Sequence, residues 1–208
     1  MTVEASGDLN IDRRMDQVVG VAPRIDPLNE DQLTDDARQM AIEIRAAFGI
    51  PENGEMPESV RMMLVHPALF RAQMTMGIAL AGGTIPPRER ELAILRNAWI
   101  CAAPYEWGEH VNIGKNRCGL TTEEVERCTK GSKAQGWTEH ERAILKGVEE
   151  LHLDHAVSDA TWAVLAKSWN DQQLAEFPIL VGSYTMTAMQ QNSLRYRLAD
   201  NNPGLAHR

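Results

Sequence analysis

Apolar residues recur three and four positions apart over most of the chain, and the breaks fall at proline, glycine and paired hydroxyl and carboxylate residues. Leu33, Ala37, Met40, Ile44 and Ala47 keep helical spacing between Asn29 and Phe48, and Gly49 with Pro51 ends that run. Glu58 to Val65 and Pro67 to Leu80 predict two short helices broken at His66-Pro67, because a proline turns the residue before it away from helical backbone. A helical hairpin follows from Pro86 to Gly119. Its second helix opens at Pro104, where a missing N–H costs nothing, and closes before Gly119, which suits a left-handed cap. Thr121 with Glu124 and Thr138 with Glu141 have the form of capping boxes, each starting a helix. Ser158 to Trp169 gives another. Asp171 to about Leu198 gives a long one, with Leu174, Phe177, Val181, Tyr184, Thr185 and Ala188 on its apolar face and Pro178 as a kink or break. HERAILKGVEELH echoes RERELAILRNAWI and suggests a repeated two-helix unit, although shared capping and core demands produce such likeness alone.

No stretch has the form of a β-hairpin, a glycine-rich phosphate loop or a nucleophile-elbow serine. The expected fold is therefore all-α, of about seven to nine helices around a central helical hairpin. Residues 1–28 lack this periodicity and contain Pro23 and Pro27, which predicts an extended N-terminal arm. Residues 29–208 are expected to form a single all-α domain.

With 208 residues and 43% hydrophobic content, the chain is long enough for one well-buried core. Its net charge of -8 argues against a nucleic acid partner, which needs clustered Lys and Arg. The start, MTVEASGDLN, has neither a basic nor an apolar leader region, and no run approaches a membrane span, so a cytoplasmic protein is expected with no membrane partner. Cys101, Cys118 and Cys128 are odd in number and without zinc-like spacing, which favours reduced thiols packed as small apolar groups.

The candidate chemistry lies in the hairpin. On the helix from Pro104 to Cys118, Trp107, Val111, Gly114 and Cys118 form an apolar and small stripe, while Glu109, Asn112, Lys115 and Asn116 face away. Glu106 and His110 share one line, four residues apart, at the margin of that stripe, where a side chain is half desolvated. The simplest reading is a solvated ion pair. Glu91 shifts it, because an antiparallel hairpin brings this carboxylate towards His110 and gives an oriented imidazole suited to general acid–base work. Arg90 and Arg96 are candidates to hold a substrate carboxylate bidentately, with Tyr105, Trp107 and Tyr184 as further substrate-binding candidates. Gln190 and Asn192 are polar groups of the same long helix. His66 is expected to cap or pack. His152, Asp154 and His155 include metal-ligand types, but they sit at a helix end and lack a third ligand at reliable spacing, so no metal and no cofactor are expected.

At these residues the sequence resembles the carboxymuconolactone decarboxylase-like family, which shares the alkylhydroperoxidase-D-like fold. RERELAILR, then YEW-x-x-H-V, then GLTTEEVE carry the resemblance, best over about Val60 to Lys130. The peroxidase branch carries a glutamate, a Cys-x-x-Cys pair and a histidine four residues after the second cysteine. Aligned on His110, those cysteine positions hold Ala103 and Glu106, and the glutamate is Glu91. The resemblance therefore implies the branch without the dithiol, and a trimer, hexamer or related ring of one chain. It implies a cofactor-free decarboxylase, isomerase or lyase acting on a small lactone or unsaturated acid from aromatic catabolism. His110 is then the general acid/base, Glu91 its orienter, and Glu106 a second acid/base or substrate-positioning group. Two alternatives are a thiol-dependent peroxidase using Cys101 and a non-catalytic oligomeric helical module.

Overall fold

The computed structural model describes residues 10–208, and these contain ten α-helices and no strand. In chain order the helices are α1 (Ile11–Val18), α2 (Asp35–Phe48), α3 (Glu58–Met63), α4 (Pro67–Ala81) and α5 (Pro87–Ile100). They continue as α6 (Pro104–Arg117), α7 (Thr122–Lys130), α8 (Glu139–Asp154), α9 (Asp159–Leu165) and α10 (Asp171–Leu194). Nine of them follow the breaks marked by the sequence. Helix α1 does not: it lies inside the stretch expected to be extended, whose first nine residues fall outside those described. Its apolar positions, Ile11, Met15 and Val18, keep helical spacing but are hidden among charges. The Asn10 side chain caps it by accepting from the Arg13 N–H, and Ile11 and Met15 pack on the core.

The signals at helix ends act as local chemistry dictates. Gly49 and Gly119 take left-handed backbone at φ 66 and 70, and the Thr121 and Thr138 capping boxes both close. His66 caps α4 by accepting from the Leu69 N–H at 3.3 Å. Helix α10 runs unbroken through Pro178 and ends at Leu194, four residues short of the expected Leu198, because Arg195 turns left-handed at φ 61. Helix α9 stops at Leu165, and Trp169 is held instead by its indole N–H donating to Glu89 Oε2 at 2.6 Å.

Two compact units divide the chain. One is Pro23–Gly82; the other joins the N-terminal segment up to Ala22 to Gly83–Arg208. The first is built on Leu33, Ala37, Met40, Ala41, Ile44, Met56 and Leu64. The second is centred on Leu92, Leu95, Ala98, Trp107, Val111, Val125 and Leu145. In it, Arg88 bonds the carboxylates of Glu124 and Glu141, so one guanidinium ties together the capping boxes of α7 and α8.

The C-terminal segment braces α6 from behind. The Trp107 indole N–H donates to the His207 carbonyl at 3.0 Å, and Asn202 Nδ2 donates to the Tyr105 carbonyl and to Glu109. Gly108 must stay bare, since a Cβ there would stand 1.6 Å from Asn202 Oδ1. Gly108→Ala is expected to push Asn202 off both bonds and lower stability by about 1–3 kcal/mol, as overpacking does. Urea unfolding followed by circular dichroism checks this, and an unchanged midpoint would refute the close approach.

Candidate active site

Helices α5 and α6 form the hairpin, and α10 packs on both. Their tight junction is Cys101-Ala102-Ala103, where Ala102 takes left-handed backbone at φ 46. The Asn192 amide N–H groups bond the carbonyls of Cys101 and Ala102, which stabilises this turn. Pro104 then opens α6, which places Glu106 in its first turn, where the helix dipole favours a carboxylate.

The hairpin brings the three expected residues together. His110 Nδ1 meets Glu91 Oε2 at 2.7 Å and its Nε2 meets Glu106 Oε1 at 3.1 Å, so each ring nitrogen faces a different carboxylate. Glu91, Glu106 and His110 are 2%, 4% and 8% exposed, which is buried rather than the half-desolvated margin the helical wheel suggests. The wheel describes α6 alone; α5 and α10 cover that margin. Burial disfavours the imidazolium, but the charge of Glu91 and the hydrogen bonds the ring donates to Glu106 and Glu91 outweigh it and hold the His110 pKa well above its ordinary value. At neutral pH, His110 is therefore a charged donor to both carboxylates.

Helix α10 supplies the remaining contacts. The Tyr184 ring stands edge-on to His110 with centroids 5.1 Å apart, and burial raises its phenol pKa. Gln191 Nε2 donates to Glu106 Oε2 at 2.5 Å. The sequence reading names Gln190 and Asn192 but misses Gln191 between them. The signal was available, because Leu174, Phe177, Val181, Tyr184 and Ala188 continue at helical spacing onto Gln191, a polar residue on an apolar stripe.

The other candidates lie elsewhere or serve the fold. Arg90 sits beside the site, its Nε 4.0 Å from Glu91 Oε1. Arg96 is not brought there: it pairs with Glu149 at 2.8 Å and bonds the carbonyls of Cys128 and Thr129. Trp107, expected on the substrate side, is fully buried in the core against Trp99, and Tyr105 packs edge-on against Tyr196. His155 caps α8 in left-handed backbone, while His152 Nε2 pairs with Asn97 Oδ1 at 2.8 Å. Among the described residues no group of three or more His, Cys, Asp or Glu is arranged to hold a metal ion.

Burial pushes the Cys101 thiol up to about 11, against the partial relief of a hydrogen bond with Thr185. Cys128 is pushed up to about 12 by burial in the core. Neither is an activated thiolate at neutral pH. Cys101 is expected to react with iodoacetamide at pH 7 on the order of 10²-fold more slowly than free cysteine, in proportion to its thiolate fraction. Mass spectrometry of the alkylated protein reads this, and labelling at the free-thiol rate would contradict it.

Comparison with known proteins agrees with this architecture. Residues 67–150 match the carboxymuconolactone decarboxylase family. No curated protein matches the chain. A peroxidase-related protein of Ralstonia eutropha JMP134, described as an alkylhydroperoxidase AhpD core, superposes with a TM-score of 0.69 at 19% identity, over 86% of this chain and 93% of its own. The debrominase Bmp8, in a variant complexed with 2,3,4-tribromopyrrole, gives 0.68 at 15% identity, over 88% and 95%. A putative antioxidant defence protein AhpD of Agrobacterium tumefaciens gives 0.60 at 18% identity, over 66% and 94%. At these identities the likeness is one of fold.

Proposed function

We propose, from the match of residues 67–150 to the carboxymuconolactone decarboxylase family and an AhpD-like fold without its Cys-x-x-Cys pair, that this chain is a cofactor-free enzyme of acid–base chemistry. Its substrate is a small lactone or unsaturated acid of the kind produced in aromatic catabolism, and its reaction a decarboxylation, isomerisation or related lyase step. The observation that carries this reading is the buried ring of His110 with a carboxylate at each of its two nitrogens.

That geometry supports a division of roles. Glu91 fixes the ring and sustains its charge from the Nδ1 side. Because His110 Nε2 is engaged by Glu106, the proton reaches substrate through Glu106, with His110 replenishing it. In a decarboxylation, the bond between the carboxylate carbon and the chain breaks, carbon dioxide leaves, and the electron pair delocalises into the conjugated system. A distant carbon then takes the proton relayed from His110 Nε2 through Glu106, and His110 recovers one from solvent. Arg90, beside Glu91, is placed to attract an anionic substrate.

The thiol-dependent alternative lacks a corresponding observation, since Cys101 is half-buried and its thiol is pushed up to about 11. Exposed Ile179, Met186 and Met189 on α10 support assembly with further copies of the chain, which size-exclusion chromatography with light scattering tests.

The function is tested by turnover of a panel of unsaturated lactones and acids. His110→Ala and Glu106→Gln are each expected to lower the rate by about 10²–10⁴, the range for loss of a positioned proton-transfer group. Activity is expected to persist in chelator and without thiol reductant. Hydroperoxide consumption that depends on Cys101, with no compound of the panel turned over, would replace this reading.

A further inference from the structure

We propose that Gln191 is a specificity-determining residue whose side-chain oxygen receives a hydrogen bond from the bound small molecule. The site would then select compounds that carry an O–H or N–H near the atom exchanging its proton with Glu106. This deepens the acid–base reading above and rests on it.

Gln191 is 6% exposed and stands two turns along α10 from Tyr184, the residue against the His110 ring. A primary amide offers two N–H donors and a carbonyl oxygen with two lone pairs. The orientation of this amide follows from its neighbour: a carboxylate only accepts, so the nitrogen must face Glu106 Oε2, as it does at 2.5 Å. The carbonyl oxygen consequently points elsewhere, is buried, and has no hydrogen-bond partner among the described residues.

The surroundings sharpen what this oxygen can accept. His110 Nδ1 is already bonded to Glu91 and its Nε2 to Glu106 Oε1, while Glu106 Oε2 accepts from Gln191. The relay is thus internally satisfied, and Gln191 Oε1 is a polar atom joined to it that still lacks a bond. Asn192 repeats the arrangement at the next position: its Nδ2 serves the Cys101 and Ala102 carbonyls, and its buried Oδ1 has no partner among the described residues. This end of α10 gives its donors to the hairpin and retains its acceptors. A buried acceptor left unpaired is unfavourable, and a ligand donor relieves it; an ether or ester oxygen brought to the same place adds repulsion. A protein built to bond a donor rejects the analogue that lacks one far more strongly than a size difference alone allows.

The experiment uses two probe pairs, phenol with anisole and pyrrole with N-methylpyrrole, in which one methyl group removes the donor. Equilibrium binding to the full-length protein is measured at pH 6 by ligand-observed NMR titration, with no turnover required. The donor members are expected to bind about tenfold or more tightly than their methylated partners, although the added methyl by itself favours burial. Gln191→Met, which removes the acceptor at similar length, is expected to abolish that preference. Gln191→Glu is expected to keep it, because a carboxyl held against Glu106 stays protonated, donates to it and retains a carbonyl oxygen.

Equal binding within the wild-type pairs, no binding of any probe at millimolar concentration, or a preference that survives Gln191→Met would each overturn the proposal. So would a preference lost equally in both variants, which would trace the effect to the orientation of Glu106. Failure of the acid–base reading looks different: donor selectivity would persist while turnover proved independent of His110 and Glu106.

Discussion

Trp107→Ala will lower the folding free energy by about 3–5 kcal/mol, the cost of removing a large aromatic side chain from a packed core. Trp107 is completely buried and its ring lies 4.9 Å from that of Trp99. The Arg208 guanidinium stands 5.6 Å from the Trp107 ring centroid. The substitution removes more than volume, since the indole N–H donates to the His207 carbonyl, one of the bonds by which the C-terminal segment braces α6. Urea unfolding measures the loss. Substrate affinity separates this role from that of a binding-site aromatic: the folded fraction of the variant should bind substrate as the wild type does. A variant that folds normally but binds poorly would return Trp107 to the substrate side of the helix.

Glu91→Gln will produce the second large effect, and its dependence on pH carries the information. The wild-type His110 pKa is raised on folding, so its contribution to stability is fully present below the ordinary histidine value of about 6.5. That contribution is lost as pH rises through the raised folded value. Glu91 is the largest of the influences raising it, and removing one partner of a buried charge pair costs about 3–5 kcal/mol. The variant is therefore expected to be less stable by this amount at pH 6. The gap should narrow as pH rises through the raised folded value, where the wild-type ring gives up its own advantage. Denaturant titrations from pH 6 to 10, with the His110 ring followed by NMR, test both parts. A difference constant across that interval would contradict a folded His110 that loses its proton within it.

The hairpin was legible because its signals are local. Pro104, Gly119 and the two capping boxes act on backbone within one turn of themselves, and the periodic apolar stripes of α5 and α6 need only one partner surface. The spacing of Glu106 and His110 on one helix, with Glu91 on the preceding one, followed from the same geometry. Helix α1 was less legible, because three apolar residues among charges make a weak pattern until the core they pack on is known.

The arginines show the limit. Arg90 and Arg96 have equal standing in RERELAILR, yet Arg90 lies beside Glu91 while Arg96 pairs with Glu149 on α8. Only the packing of α8 on α5 distinguishes them. Trp107 and Glu106 are neighbours in the chain, but a rotation of 100° per residue sends one into the core and the other into the site.

By itself the sequence determined where most of the helices start, that the fold is all-α, and that the alkylhydroperoxidase-like dithiol is missing, because capping, periodicity and residue identity are short-range properties. Tertiary structure decided that both nitrogens of His110 are bonded to carboxylates, that Glu91, Glu106 and His110 are buried, and that Gln191 holds Glu106. The last two depend on how α10 seats against the hairpin, with Gln191 and Glu106 85 residues apart in the chain. The charge of an imidazole is set by the summed fields and desolvation of everything around it, which no spacing rule along the chain encodes.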